Sequence, residues 1–405
     1  PLTAMVIYIT LTIALLSGIY AYRYLRRATS PRTALRIYAA MGVAALLYVG
    51  ISLSGELSLY TAARAVAIAV LFYACATLPL CIGAVIDDLY RLFRRATTGA
   101  WPSAPLKGLF LFSCLLALAG IATVVEGILR GKTDYRVEDF AMESARVPEG
   151  LDGLRIVQIS DLHLGSFRPD DRHLPRAFEM IAGLQGDLIV LTGDILNDNS
   201  ADMLPWMDYL SALHAPEGKY AVIGNHDYCE YDHSLTPAQR EAQMDSLHSY
   251  YRRAGFQVLD NAHVPIVRGG DTLYLAGVEN WGTGPFPARG DLGKALEGIP
   301  EDAFIVLLSH DPTHFERIVS RYPTFVDLTL SGHTHAMQLA FRLSENRQWS
   351  PIQYRYPYWA GPYRENGRQL YVNRGIGYHF FPARVGMRPE ITCITLHRSE
   401  GSPEN

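Results

Sequence analysis

The chain is poor in cysteine, with five in 405 residues. Cys75, Cys81 and Cys114 fall in apolar runs, which leaves Cys229 and Cys393 for the remainder. Two thiols without a CxxC spacing exclude a disulfide framework and a thiolate zinc site. An excess of positive charge is also missing: 36 Lys and Arg stand against 40 Asp and Glu, a net charge of −4. Residues 1–130 hold 11 basic and 4 acidic side chains, and the rest hold 25 and 36, so +7 and −11 give the −4. An acidic C-terminal part argues against nucleic acid as a partner, which needs a basic face. There is no internal repeat or low-complexity tract, and GSPEN at 401–405 reads as a frayed tail.

Long apolar runs are abundant in the first third, at about 2–21, 37–54, 65–86 and 106–125. Each approaches the roughly 20 residues that cross a bilayer as a helix. Four runs cannot be one signal peptide, whose apolar region is roughly 7–15 residues. The sequence therefore predicts four transmembrane helices over 1–130, a linker over 131–150 and a globular domain over 151–400. Arg23, Arg26, Arg27, Arg32 and Arg36 separate spans one and two. Arg91, Arg94, Arg95 and Lys107 separate spans three and four, while Arg64 stands alone between two and three. The positive-inside tendency puts both rich loops in the cytoplasm and, after an even number of spans, the C-terminal domain outside it. Arg130, Lys132 and Arg136 beyond span four pull the other way.

From about residue 153 short β-rich runs alternate with amphipathic stretches. RIVQIS (155–160), DLIVLTG (187–193), YAVIG (220–224), AFIVLLS (303–309) and DLTLSG (327–332) read as buried strands. TPAQREAQMDSLHSYYRRAG (236–255) reads as a helix, capped by Thr236, with Pro237 in its first turn and Gly255 at its end. This is an α/β domain, and such sheets bind ligands beyond the carboxyl ends of their strands. The five strands run into Asp161 and His163, Asp194, Asn225 and His226, His310, and His333 and His335 in turn. A lone HxH or DxH is noise, and GD after a strand is often a turn or cap. Five strands out of five ending in a metal ligand is a pattern. Carboxylate, amide and imidazole without thiolate suit Mn, Fe or Zn, and suit Ca poorly. Two such ions roughly 3.5–4 Å apart clamp the attacking and leaving oxygens of a phosphoryl displacement and acidify a bound water.

DLHLG, LTGDILND, GNHD, LSHD and GHTH, in that order, resemble the motifs of calcineurin-like metallophosphoesterases. The resemblance spans about 150–400 and implies two packed β-sheets flanked by helices. It further implies that Asp161, His163 and His335 bind one metal, Asn225, His310 and His333 a second, and that Asp194 bridges them. His226 takes the place of a histidine that stabilises or protonates the leaving oxygen. Many members carry an acid three residues after the bridging Asp to orient that histidine, where this chain has Asn197. Met337 follows GHTH and Ala336 in place of an expected glycine.

YVNRGIGYHFFPARVGMRPEITCITLH (371–397) resembles a membrane-associated bacterial branch that includes UDP-diacylglucosamine hydrolases. His379, Arg374 and Arg384 in that stretch are candidates to meet substrate. His173, His214, His233, His248, His263, His314 and His397 are read as surface or packing residues. Aromatic clusters at 283–287, 354–363 and 379–381 suit either a headgroup-level or acyl-chain contact or sheet-edge packing. The expectation is a membrane-anchored hydrolase with two divalent ions, Mn foremost, acting on a lipid-linked or other phosphorylated small molecule. Its alternatives are a UDP-diacylglucosamine-type pyrophosphate hydrolase, an anchored nucleotide or general phosphodiesterase, and a sensor or scaffold with a vestigial site.

Overall fold

The computed structural model describes residues 16–53, 59–284, 286–344 and 347–399. The chain divides into two compact units, Pro1–Gly127 and Ile128–Asn405. The first unit is helical: α1 over 16–28, α2 Pro31–Leu53, α3 Leu59–Thr98 and α4 Lys107–Leu129, which runs past the unit boundary. Span one, at 2–21, falls mostly outside the described residues, and α2 covers the described part of span two. Among the described residues two stretches are long and apolar enough to cross a membrane, Ile68–Thr98 and Lys107–Thr133. They coincide with spans three and four. The structure corrects the loop between them, because α3 continues through Arg91, Arg94 and Arg95 to Thr98. Nothing breaks a helix between Pro79 and Gly99. Polar contacts tie this unit together: Asp88 accepts from Tyr20 Oη at 2.7 Å and from Arg27, and buried Asp87 accepts the Leu106 N–H at 2.9 Å.

The second unit holds two mixed six-stranded sheets. The first orders β1 (Arg136–Ser144), β14 (Glu390–Arg398), β2 (Arg155–Ile159), β3 (Leu188–Leu191), β4 (Lys219–Ala221) and β5 (Phe256–Val258). The second orders β12 (Gly361–Glu365), β13 (Arg368–Val372), β9 (Leu328–Ser331), β8 (Phe304–Leu308), β7 (Asp271–Gly277) and β6 (Ala262–Arg268). A hairpin of β10 (Phe341–Ser344) and β11 (Arg347–Trp349) stands apart. All five predicted strands form.

Their alternation sets the layers, since successive side chains of a strand face opposite ways. Ile156, Leu188 and Val190 of the first sheet meet Val306, Leu308 and Leu330 of the second in one buried core. The opposite face of the first sheet, with Val157, Ile189 and Leu191, packs on α5 (Leu174–Gly183), α6 (Met207–Ala212) and α7 (Pro237–Arg253). Ile305 and Leu307 carry α8 (Leu292–Leu296) and α9 (Thr313–Arg317) on the outside of the second. The sheets are therefore sandwiched between helices, as the resemblance implied. Helix α7 begins with a capping box between Thr236 and Gln239 and stops before Gly255, whose φ of +79° suits glycine.

One boundary is corrected. The segment 131–150, expected as a linker, carries β1, which pairs in parallel with β14 along nine residues. Its sequence RVEDFAMES mixes charges with apolar residues because it forms the sheet's edge, with one face in solvent.

Candidate metal centre

Strands β2, β3 and β4 run parallel, as do β8 and β9, so the loops at their carboxyl ends converge. Five of the seven side chains expected to bind metal hang from residues with positive φ: Asp161 (49°), His163 (43°), Asp194 (55°), His333 (72°) and His335 (49°). Few non-glycine residues adopt this conformation, and it collects at functional sites at roughly 1–3 kcal/mol each. Such turns point successive donors to one side.

The donors meet as two groups, Asp161 with His163 and His335, and Asp194 with His310 and His333. Within the first, His163 Nε2 lies 3.0 Å from His335 Nε2, and His335 Nε2 lies 3.2 Å from Asp161 Oδ1. His163 Nδ1 donates to the Leu196 carbonyl at 3.0 Å, which leaves its Nε2 lone pair for the site. Within the second, His310 Nδ1 donates to the Thr192 carbonyl at 2.7 Å. Its Nε2 then faces Asp194 Oδ2 at 3.2 Å, Asn225 Oδ1 at 3.2 Å and His333 Nδ1 at 3.3 Å. His333 is turned that way by Tyr356, whose hydroxyl lies 2.8 Å from its Nε2. A carboxylate oxygen, an amide oxygen and an imidazole nitrogen converge on one nitrogen, an arrangement that calls for a cation.

The electrostatics agree. Burial opposes charge on His310, yet Asp194 and then Asp161 lift its pKa to about 10. Burial would raise Asp194, but His310, His226 and His163 outweigh it and hold the carboxyl well below its usual range. The donor set fits divalent metal: hard and borderline ligands, buried, anionic, with imidazole nitrogens fixed by carbonyl acceptors.

Supporting groups stand behind the donors. Asp227 accepts the backbone N–H of Asp194 (2.9 Å), Leu196 (3.0 Å) and Gly224 (2.9 Å), clamping the loop that carries Asp194. Burial and then Asp194 push its carboxyl up to about 7. The sequence marked Asp227 only as part of GNHD. Tyr231, which holds Asn225 Nδ2 at 3.0 Å, and Tyr356 carried no signal beyond being aromatic. Gly224 leaves no room: a Cβ there would sit 2.5 Å from the Asp194 nitrogen and closer to its Oδ1. Gly224→Ala should therefore displace Asp194 and cut turnover about 10²-fold, the usual effect of a misplacement near 1 Å. Metal content and circular dichroism of the purified variant check this, and a variant with native metal content and rate would show that the loop gives way freely.

His226 sits beside the centre. Its backbone N–H donates to Asp194 Oδ1 at 2.8 Å, and its Nδ1 donates to the Asn197 carbonyl at 2.8 Å. The missing acid at 197 is thus replaced by main chain from the same residue. The His379 ring centroid lies 4.2 Å from that of His226 and 5.0 Å from that of His163, and the three could themselves hold a metal, though without a carboxylate. Arg374 and Arg384 lie behind the centre. Arg374 is buried against Glu390 and against Glu138, with Nη2 2.6 Å from the latter. Arg384 is fully buried, donates to the Gly375 carbonyl at 2.9 Å and reaches His335 Nδ1 at 3.3 Å. The expected phosphate contact is not seen for either: Arg374 is taken up by two carboxylates, and Arg384, whose Nη1 has no hydrogen-bond partner among the described residues, is fully enclosed. Of the packing histidines, buried His314 meets Ser309 Oγ at 2.9 Å and stacks on Trp281, and half-buried His248 pairs with Asp260 at 2.7 Å.

The sequence profile of the calcineurin-like phosphoesterases matches residues 154–337. YkuE, an uncharacterised metallophosphoesterase of Bacillus subtilis, is 32% identical over 299 residues, covering 72% of this chain and 96% of that protein. The chain belongs to the calcineurin-like metallophosphoesterases. Two further relatives of this metallophosphoesterase carry names that mention a membrane or a substrate. The "transmembrane protein with metallophosphoesterase domain" of Danio rerio is 29% identical over 327 residues, 78% of this chain and 69% of that one. The UDP-2,3-diacylglucosamine pyrophosphatase LpxG of Chlamydia trachomatis is 29% identical over 277 residues, 56% of this chain and 79% of that one. The family is metal-dependent, and the two Asp/His groups are where this metallophosphoesterase can hold metal.

Proposed function

We propose that this metallophosphoesterase is membrane-anchored and hydrolyses a phosphoester or pyrophosphate bond of a lipid-linked substrate at a dinuclear centre. Asp161, His163 and His335 would hold one ion and Asn225, His310 and His333 the other, with Asp194 shared. The observation that carries this is the reach of one oxygen. Asp194 Oδ2 lies 3.2 Å from His310 Nε2 and 3.8 Å from His163 Nε2, one in each donor group. Bound divalent cations, with Mn the first choice, would polarise the phosphoryl oxygens and supply a nucleophile from water near neutral pH.

The remaining work falls to side chains. His226 keeps its Nδ1 proton on the Asn197 carbonyl, so its Nε2 is the atom that passes a proton to the leaving oxygen. His379, packed against both His226 and His163, would steady the phosphoryl group or its leaving group. Hydrolysis of bis-p-nitrophenyl phosphate by the purified chain with added Mn tests the activity. No turnover with any of Mn, Fe or Zn would favour the sensor or scaffold reading, against which the complete donor set argues. An untargeted lipid comparison between a strain lacking the protein and its parent tests the substrate class, and a change confined to nucleotides would favour the anchored nucleotide phosphodiesterase.

The apolar helices Ile68–Thr98 and Lys107–Thr133, and relatives named as transmembrane proteins, support membrane anchoring. Basic residues in alternate connections favour an extracytoplasmic catalytic domain. Alkaline phosphatase fused after residue 405 should then be active. A silent phosphatase fusion with a fluorescent green-protein counterpart would place the domain in the cytoplasm. That outcome would favour the second reading, a UDP-diacylglucosamine-type pyrophosphate hydrolase, which the Chlamydia relative's name supports.

A further inference from the structure

From residue 130 onward, nine large apolar side chains are exposed among the described residues. Leu204, Tyr209 and Val267 lie on other segments, and Tyr231 packs on His226 with its ring centroid 4.6 Å away. The other five, Met337, Phe341, Leu343, Tyr354 and Phe380, belong to segments that are joined to one another beside the metal centre. Gln338 accepts the His379 N–H at 2.7 Å and donates to the Ala383 carbonyl at 3.2 Å. The Val385 carbonyl takes the Ala340 N–H at 3.0 Å, and Ser350 Oγ donates to the Ala336 carbonyl at 2.9 Å. Phe341 stacks on Trp349 across the hairpin of β10 and β11.

The exposure is held in place by the backbone. His335, Ala336, Met337 and Gln338 are four consecutive non-glycine residues with φ near +50°. That run turns Gln338 inward and leaves Met337 out, 55% exposed, two residues from a proposed metal ligand. Next along, Tyr354 is 81% exposed while Tyr356, two residues later, is buried against His333. Met337 thus does not narrow the site by packing into it, and the aromatic stretch 354–363 divides between packing and surface.

Charge narrows the choice of partner. The sequence of 336–360 holds three arginines, Arg342, Arg347 and Arg355, and one acid, in a domain that is otherwise acidic. All three arginines are exposed. Exposed apolar tips and exposed arginines on the same segments suit an anionic lipid surface, where the rings and aliphatic chains enter the headgroup layer and the guanidiniums meet phosphate. We propose that this surface seats on an anionic phospholipid bilayer and brings the metal centre to the depth of lipid headgroup phosphates. The proposal rests on the reading that the chain is membrane-anchored.

The test uses the full chain in bilayer discs of equimolar phosphatidylglycerol and phosphatidylcholine. A benzophenone amino acid is placed singly at Leu343, Tyr354, Val267 and Leu118, and lipid adducts are read by mass after irradiation. Leu118 lies in an apolar helix and reports anchoring, while Val267 is exposed on an edge strand of the second sheet. Adducts at 343, 354 and 118 but not at 267 are expected. The Tyr354 adduct should fall about fivefold for each of Arg342, Arg347 and Arg355 changed to Gln, from the attraction of one basic residue to an anionic surface. Adducts at 118 without any at 343 or 354 would overturn the docking and leave anchoring intact. No adduct at 118 would overturn anchoring and the docking with it. A signal at 267 equal to that at 354, or cross-linking of 343 to a second copy of the chain, would also overturn it.

Discussion

Asp194→Asn is expected to lose bound metal and turnover together while the domain stays folded. Folding should survive because asparagine tolerates the positive φ of 55°, and its carbonyl oxygen can still accept the His226 N–H. The loss should be large because one buried charge serves both donor groups, whose imidazoles hold that carboxyl far below its usual pKa. Metal affinity should fall by more than the roughly 10–100-fold that follows removal of a group standing behind the ligands. Asp227→Asn supplies that comparison, since the Asp227 carboxylate accepts the backbone N–H groups of Asp194, Leu196 and Gly224 and is not among the proposed donors. Elemental analysis beside a rate assay decides the matter. An active mutant that keeps two metals per chain would remove Asp194 from the bridging position.

His226→Ala should do the opposite, keeping metal while turnover falls roughly 10²–10⁴-fold, the usual range for a lost proton-transfer group. Among the described residues none of the seven proposed donors is hydrogen-bonded to the His226 ring, which packs edge-on against His163 at 4.9 Å and whose Nδ1 is engaged by a main-chain carbonyl. The loss should shrink for substrates that release p-nitrophenolate, which needs no proton to depart. Equal losses with good and poor leaving groups would assign the residue to positioning instead of proton transfer.

The parts of this protein that are legible in its sequence are those in which one residue type dictates one outcome. Runs such as FIVLL have no polar face to offer water and so had to be inner strands, and the donors after them were visible as interruptions in an apolar pattern. Helix α7 announced itself through Thr236 and Gln239. The misses share a cause. Whether Arg374 faces phosphate or Glu390 depends on a partner sixteen residues away, and Arg384 finds backbone carbonyls at 375 and 377 that composition does not reveal. Strand β1 was hidden because an edge needs only one apolar face. The pairing of His379 with His226, from loops about 150 residues apart, likewise depends on the fold alone.

The contact between His226 and the Asn197 carbonyl has a consequence for inheritance and for pH. Where a carboxylate orients the histidine, one codon change can erase it and acid can neutralise it. A main-chain oxygen is present whatever residue occupies position 197, and it has no proton to gain. Asp202 accepts the Asn197 N–H at 3.0 Å and so holds the preceding peptide, on the other side of the Asn197 Cα. The hydrogen bond to the catalytic imidazole therefore does not depend on the side chain at 197, whose Nδ2 donates instead to Ser166 Oγ at 3.0 Å, and it is broken only by what moves the chain itself.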